Sequence, residues 1–153
     1  MNKRIKLIIL VNQQAGSDAF YKKSQEFGLF AAQSFREELG RERQQRHRAQ
    51  MTGLENIAET TLKVTDVLDY IKKQTARQRG WQKEMGARGE RFGESLKNYI
   101  EIGLEPFVTN VCKGFIDSAT DAGKQDQQEV RLLLIRQFIR QLVVQYEYQV
   151  SQA

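Results

Sequence analysis

The chain has 153 residues, a formal net charge of +5, 40% hydrophobic and 28% charged residues, and a single cysteine and a single histidine. That length suits one domain able to bury a sizeable core, and the composition is too apolar for a disordered chain. One cysteine excludes an internal disulfide framework, and with one histidine the chain cannot build a conventional Cys/His zinc site by itself. A single proline and abundant Gln, Glu, Lys, Arg, Leu and Ala predict an all-α domain over residues 1–153, a bundle of four to five helices.

Residues 1–16 form an N-terminal segment whose apolar run, Ile5 to Val11, is the strand candidate of the chain. Two readings stay open for it: a short extended segment able to add to another sheet, or the buried start of a helix. The run imitates a signal peptide, but Lys6 interrupts it, no small-residue cleavage site follows, and it is too short to span a bilayer. The expectation is a cytoplasmic protein in a reducing setting, without a membrane partner.

Ser17-Asp18 caps a first helix in which Phe20, Phe27, Ala31 and Phe35 form one inward stripe, with Gly40 at or near its end. A basic cluster follows, Arg41, Arg43, Arg46 and Arg48, around His47. Arginines disfavour a protonated imidazole and no nucleophile is tied to it by spacing, so His47 reads as solvent-facing helix surface. The second helix carries Leu54, Ile57, Thr61, Val64, Leu68 and Ile71 at alternating spacings of three and four. This is a heptad seam and predicts a helix–helix contact, with an internal partner or with another chain.

Residues 72–91, KKQTARQRGWQKEMGARGER, hold seven Lys or Arg and two Glu, so their local charge of +5 equals that of the whole chain. Lys72, Lys73, Arg77, Arg79, Lys83, Arg88 and Arg91 would form a compact surface able to meet several phosphates. The one tryptophan, Trp81, lies among them, either a core anchor with Met85 one turn away or an exposed stacking platform. Core is the favoured reading. Gly86 to Gly89 has the GXXG form that lets a backbone approach nucleic acid, but without surrounding strand pattern it reads as a helix interruption or turn.

A third helix is predicted from near Trp81 to about Ile102, buried through Trp81, Met85, Phe92, Leu96 and Ile100 and stopped at Gly103. Pro106 opens the next, with Phe107, Val108, Val111, Cys112 and Phe115 as its stripe; Cys112 reads as core. Residues 118–127, small and polar, read as the loop before a long C-terminal helix carrying Leu134, Ile135, Phe138, Ile139, Leu142 and Val143.

No phosphate-binding loop, dinucleotide fingerprint or nucleophile–base pairing is present in the sequence. The acidic pairs Glu37-Glu38 and Asp66 with Asp69 have nothing in their spacing that demands Mg²⁺. The expectation is a binding protein, not an enzyme, without metal or cofactor.

Three stretches carry a resemblance: Thr60-Thr61-Leu62-Lys63 leading an amphipathic helix, Gly86 to Arg91 as a glycine and arginine turn, and FIRQLVVQYEYQ from Phe138 to Gln149. Together they resemble the small helical subunit of type III CRISPR effector complexes. Arg140-Gln141 departs from that pattern, and the basic first 50 residues have no obvious counterpart in it. The resemblance implies a non-catalytic antiviral-defence subunit that stacks in copies along larger proteins, its basic face lining the path of guide and target strands. From the residues alone, two functions compete. One is a helical subunit binding RNA or single-stranded DNA backbone and packing against larger subunits or further copies; the other is a scaffold that oligomerises through the heptad face without touching nucleic acid.

Overall fold

The computed structural model describes residues 2–36, 41–85, 88–114 and 116–152, with the side chains of all of these except 41–46. Gly40, Glu37-Glu38, Gly86-Ala87 and Phe115 lie outside the described residues. The chain is all-α apart from one tiny hairpin, with more helices than four or five. Among the described residues the α-helices are α1 (Lys3–Ala15), α2 (Asp18–Arg36), α3 (Arg41–Thr60), α4 (Val64–Arg77), α5 (Arg79–Gln82), α6 (Phe92–Asn98), α7 (Glu105–Cys112) and α8 (Asp121–Ser151). Strands β1 (Glu84–Met85) and β2 (Glu90–Arg91) pair antiparallel, Glu84 with Arg91 and Met85 with Glu90. Among the described residues no helix is long and apolar enough to cross a membrane.

The N-terminal run is a helix, not an extended segment. Asn2 caps it, its Oδ1 accepting from the Arg4 N–H at 2.8 Å, and Leu7, Val11 and Ala15 recur every fourth residue as its buried line. Ser17 starts α2 as expected, its Oγ accepting from the Phe20 N–H at 3.4 Å, and Phe20, Phe27, Ala31 and Phe35 all face inward. The α2 aromatics meet α8 edge-on: the rings of Phe20 and Phe27 each lie 5.8 Å from that of Phe138. Such contacts add about 0.5–1.5 kcal/mol each to the burial of the rings. Gly28 permits the approach, because a Cβ there would lie 2.6 Å from the Leu142 carbonyl oxygen.

The heptad seam does not belong to one helix. The chain leaves α3 after Thr60 and re-enters α4 at Val64, and the spacing persists across the break because both helices face the same core. Thr61 makes the break, its Oγ1 accepting from the Lys63 N–H at 3.1 Å and donating to Asp66 Oδ2. From α8, Arg136 closes the end of α3: Nε donates to Ala58 O at 2.8 Å and Nη2 to Thr61 O at 2.7 Å. Leu54 and Ile71 are wholly buried within this chain, and Val64 and Leu68 pack against them.

The expected third helix is likewise divided. Its first turn is α5, the chain then folds back through the hairpin, where Arg91 Nη2 meets Glu84 Oε1 across the strands at 2.8 Å, and α6 begins at Phe92. Gly89 takes φ +65° in the turn, a conformation that favours glycine. A π-helical turn, Tyr99–Gly103, leads from α6 towards α7, and Glu105-Pro106 opens α7. The polar stretch 118–127 is mostly helix. Thr120 Oγ1 accepts from the Gly123 N–H at 3.0 Å and Asp121 sits in the first turn, so capping residues that read as loop begin α8 instead.

Cys112 is buried in α7 and burial pushes its thiol up, as suits an inert core residue. Glu55 is also held above the ordinary carboxylate value, first by burial and then by Glu147 and Glu59, against an opposing pull from Arg140. A raised value means that the folded protein holds this proton more tightly than the unfolded chain. Its stabilising contribution is therefore present below the ordinary Glu pKa and lost as pH rises through the raised one. Glu55→Gln is expected to raise the melting temperature at neutral pH and to leave it unchanged in acid below the ordinary Glu pKa. Arg136→Ala, which leaves two carbonyls at the α3 terminus without their donor, is expected to cost about 1–3 kcal/mol in urea unfolding.

Candidate nucleic-acid interface

The basic stretch 72–91 occupies consecutive elements at one edge of the bundle. Lys72, Lys73 and Arg77 stand on the last turns of α4, Arg79 opens α5, Lys83 joins α5 to the hairpin, Arg88 lies in the hairpin turn and Arg91 on β2. All are exposed except Lys83, which is half-buried. Lys73 and Arg77 are one turn apart and share a side of α4, while Lys72 is rotated away from them by a third of a turn. Arg91 is neutralised by Glu84 at 2.8 Å. Among the described residues, Lys72, Lys73, Arg77, Arg79 and Arg88 have no acidic partner within ion-pair distance.

What holds this edge is the tryptophan beneath it. Trp81 is wholly buried, stacked on Phe92 with ring centroids 5.0 Å apart and tilted against Phe35 at 6.0 Å. Its Nε1 donates to Gln50 Oε1 of α3 at 2.8 Å, so the one polar atom of the indole is satisfied inside the core. Gln50 also serves α4, its backbone carbonyl accepting from the Tyr70 hydroxyl at 2.6 Å. The end of α4 is closed by Gln82, whose Nε2 donates to Ala76 O at 3.0 Å. Trp81 is therefore the core anchor, and the stacking platform is ruled out in this conformation.

The second basic cluster belongs to α3, a helix that adjoins α5 through His47. His47 is buried, not solvent-facing: its ring stacks on Phe35 at 4.4 Å and 22°. A Cβ on Gly80 would sit 3.4 Å from His47 Nε2, so the beginning of α3 and the Arg79-Gly80 turn of α5 adjoin. Burial of His47 came from tertiary packing, since its flanking arginines point to a surface when read in one dimension. Arg48 is exposed; burial pushes the Tyr146 hydroxyl up to about 12, against an opposing pull from the Arg48 charge. The side chains of Arg41, Arg43 and Arg46 lie outside the described residues, although the α3 backbone includes all three.

Of the seam residues read as a partner face, Leu54, Thr61 and Ile71 are buried within the chain, and Ile57, Val64 and Leu68 are half-buried. Exposed apolar residues lie elsewhere, among them Leu62 in the α3–α4 loop, Ile102 in the π turn, Val144 with Tyr148 one turn apart on α8, and Ile5, Ile8 and Ile9 on α1. Sequence reading missed Leu62 as a surface feature because it sits within the heptad register, one residue after a seam position. Among the described residues, no three His, Cys, Asp or Glu side chains come together to hold a metal ion.

The arrangement can bind a polyanion by charge, without base stacking from Trp81. Trp81→Phe, which keeps the ring contacts and removes the bond to Gln50, is expected to leave polynucleotide affinity unchanged while lowering stability by about 1–3 kcal/mol. In the native protein, acrylamide should quench Trp81 fluorescence weakly, with or without single-stranded RNA. No family model, characterised protein or solved structure matches the chain.

Proposed function

We propose that the protein is a non-catalytic helical subunit of a nucleoprotein complex, binding the backbone of RNA or single-stranded DNA and packing against larger subunits. The observation that carries this reading is the group Lys72, Lys73, Arg77, Arg79 and Arg88. These are five exposed cations without acidic partners among the described residues, on adjoining elements supported by a buried Trp81. Long basic side chains left unneutralised repel one another, and a polyanion relieves that repulsion while releasing its own counterions. The His47 turn of α3 adjoins this edge at Gly80, and Arg48 beside it is exposed. Contacts of this kind go to phosphates, so the binding is largely indifferent to sequence.

The finer reading is a CRISPR-type antiviral effector small subunit in the cytoplasm, supported by the three stretches Thr60–Lys63, Gly86–Arg91 and Phe138–Gln149. Thr61 to Lys63 of the first form the α3–α4 loop, and Arg88 to Arg91 of the second lead into and form β2 at the basic edge. A scaffold that oligomerised through the heptad seam would have to expose Leu54 and Ile71, both of which are wholly buried in this chain.

The test is fluorescence anisotropy of a labelled single-stranded RNA against the full chain at about 50 and about 300 mM salt. With five phosphates neutralised, affinity should fall on the order of 500-fold between the two. The triple variant Arg77→Glu, Arg79→Glu, Arg88→Glu should abolish binding at the lower salt while keeping the native helix content by circular dichroism. Undiminished binding by a folded triple variant would overturn the site.

A further inference from the structure

A second surface lies at the opposite end of α4, about 20 Å from the basic edge at 1.5 Å per residue. Here Leu62 is 88% exposed. A leucine in a slack loop could fold back onto the protein, but this one is held out. Its neighbour Thr61 is fixed through its carbonyl to Arg136 at 2.7 Å and through its hydroxyl to the Lys63 N–H at 3.1 Å. Beside Leu62 opens a cleft of about 710 Å³ between the start of α4 and the first half of α8. Leu62, Val64, Leu132 and Leu133 give it apolar walls, and Arg4, Lys63 and Lys124 stand around them. Leu133 and Arg136 also line a smaller hollow of about 210 Å³ that reaches Ile8 of α1, so the two hollows adjoin. From there α1 continues the apolar surface, with Ile5, Ile8 and Ile9 each at least 40% exposed.

The charge around the cleft is one-sided. Glu129 is the acid lining it and is engaged by Arg4 at 3.0 Å. Arg136 is committed to the α3 carbonyls, and Lys63 and Lys124 have no acidic partner among the described residues. Apolar walls do not reward a phosphate backbone, which separates this surface from the one at the far end of α4. A cationic rim around aliphatic walls is the complement of a segment that is acidic on one side and apolar on the other. A second copy of this chain, itself at +5, is a poor match for that rim.

We propose that this cleft docks an acidic amphipathic helix of a partner protein, with Leu62 as the fixed anchor that enters between its apolar side chains. The inference rests on the partner-packing half of the proposed function and is independent of the nucleic-acid half. The probe is a phage-displayed library of random peptides of about 16 residues, panned on the full chain and counter-selected on Leu62→Asp. Enriched sequences should combine Asp or Glu with Leu, Ile or Phe at helical spacing. A synthetic peptide of that kind should bind the native chain and lose about tenfold or more in affinity to Leu62→Asp and to the pair Lys63→Glu, Lys124→Glu. Both variants alter solvent-exposed side chains and should keep the native melting temperature and the RNA affinity of the unaltered chain. No enrichment, enrichment of basic or uncharged peptides, self-association blocked by Leu62→Asp, or displacement of the peptide by single-stranded RNA would each overturn the proposal. Loss of RNA binding in the Arg77, Arg79, Arg88 variant with peptide binding intact shows the two surfaces failing separately.

Discussion

Helix α8 is buried over more than half of its circumference, and the other helices pack around that face. Val130, Leu132, Leu134, Ile135, Phe138, Ile139, Leu142, Val143 and Tyr146 are all buried, a set too broad for one stripe. A helix so apolar can still carry polar residues if each finds a partner, and those partners are the ends of its neighbours. Gln141 donates to Ala15 O at the end of α1 and accepts from Ser24 of α2; Arg136 closes α3; Arg131 pairs with Glu105 at the start of α7. Orphan carbonyls at the C-termini of α1 and α3 are thus satisfied by side chains of α8. Hydrophobic burial supplies the driving force, and these bonds help fix where α1 and α3 stop.

The basic edge depends on this frame at one remove. Among the described residues, Lys72, Lys73, Arg77, Arg79 and Arg88 carry their charge without an acidic partner, because Trp81, Phe92, Phe35 and Gln50 fix their elements from below. Cations can then be concentrated on the outside without loosening the fold that carries them. The cost is mutual repulsion at the surface, moderate in water and screened by salt. Rigid support with unneutralised charge is a different design from a flexible basic tail, since the spacing of the cations is set before any partner arrives.

Much of this was legible in the residues. The α2 stripe of Phe20, Phe27, Ala31 and Phe35, the paired apolar residues of α8, the Ser17 cap and Pro106 each report a local rule that the tertiary structure obeys. The misreadings have a common origin in rules that act beyond one helix. Ile5 to Val11 looks like a strand because isoleucines cluster there, and the register of Leu7, Val11 and Ala15 that makes it a helix is visible only with the Asn2 cap in view. The seam from Leu54 to Ile71 kept its period across a break, because two helices packed on one core can share a phase. Residues 121–127 read as loop because Asp, Gly and Gln are poor core residues, although Thr120 and Asp121 are good helix starters. At the site, the exposure of the basic residues and the burial of Trp81 followed from type and spacing. The adjacency of His47 and Gly80, and the outward Leu62, required the fold itself.

The dominance of α8 also orders events during synthesis. Helices α1, α2, α3 and α7 are all made before the helix whose Gln141, Arg136 and Arg131 complete them. Until α8 emerges from the ribosome, Phe20 and Phe27 lack Phe138, and the α3 terminus lacks its donor. The nascent chain therefore passes through a stage of exposed aromatic faces that no local helix formation can relieve, the stage at which contacts with another copy or a chaperone compete with folding. The long separation in sequence between α2 and α8 makes collapse a late and cooperative step, and a substitution that slows docking of α8 would be felt first as lost yield in the cell and only afterwards as lost stability in the folded protein.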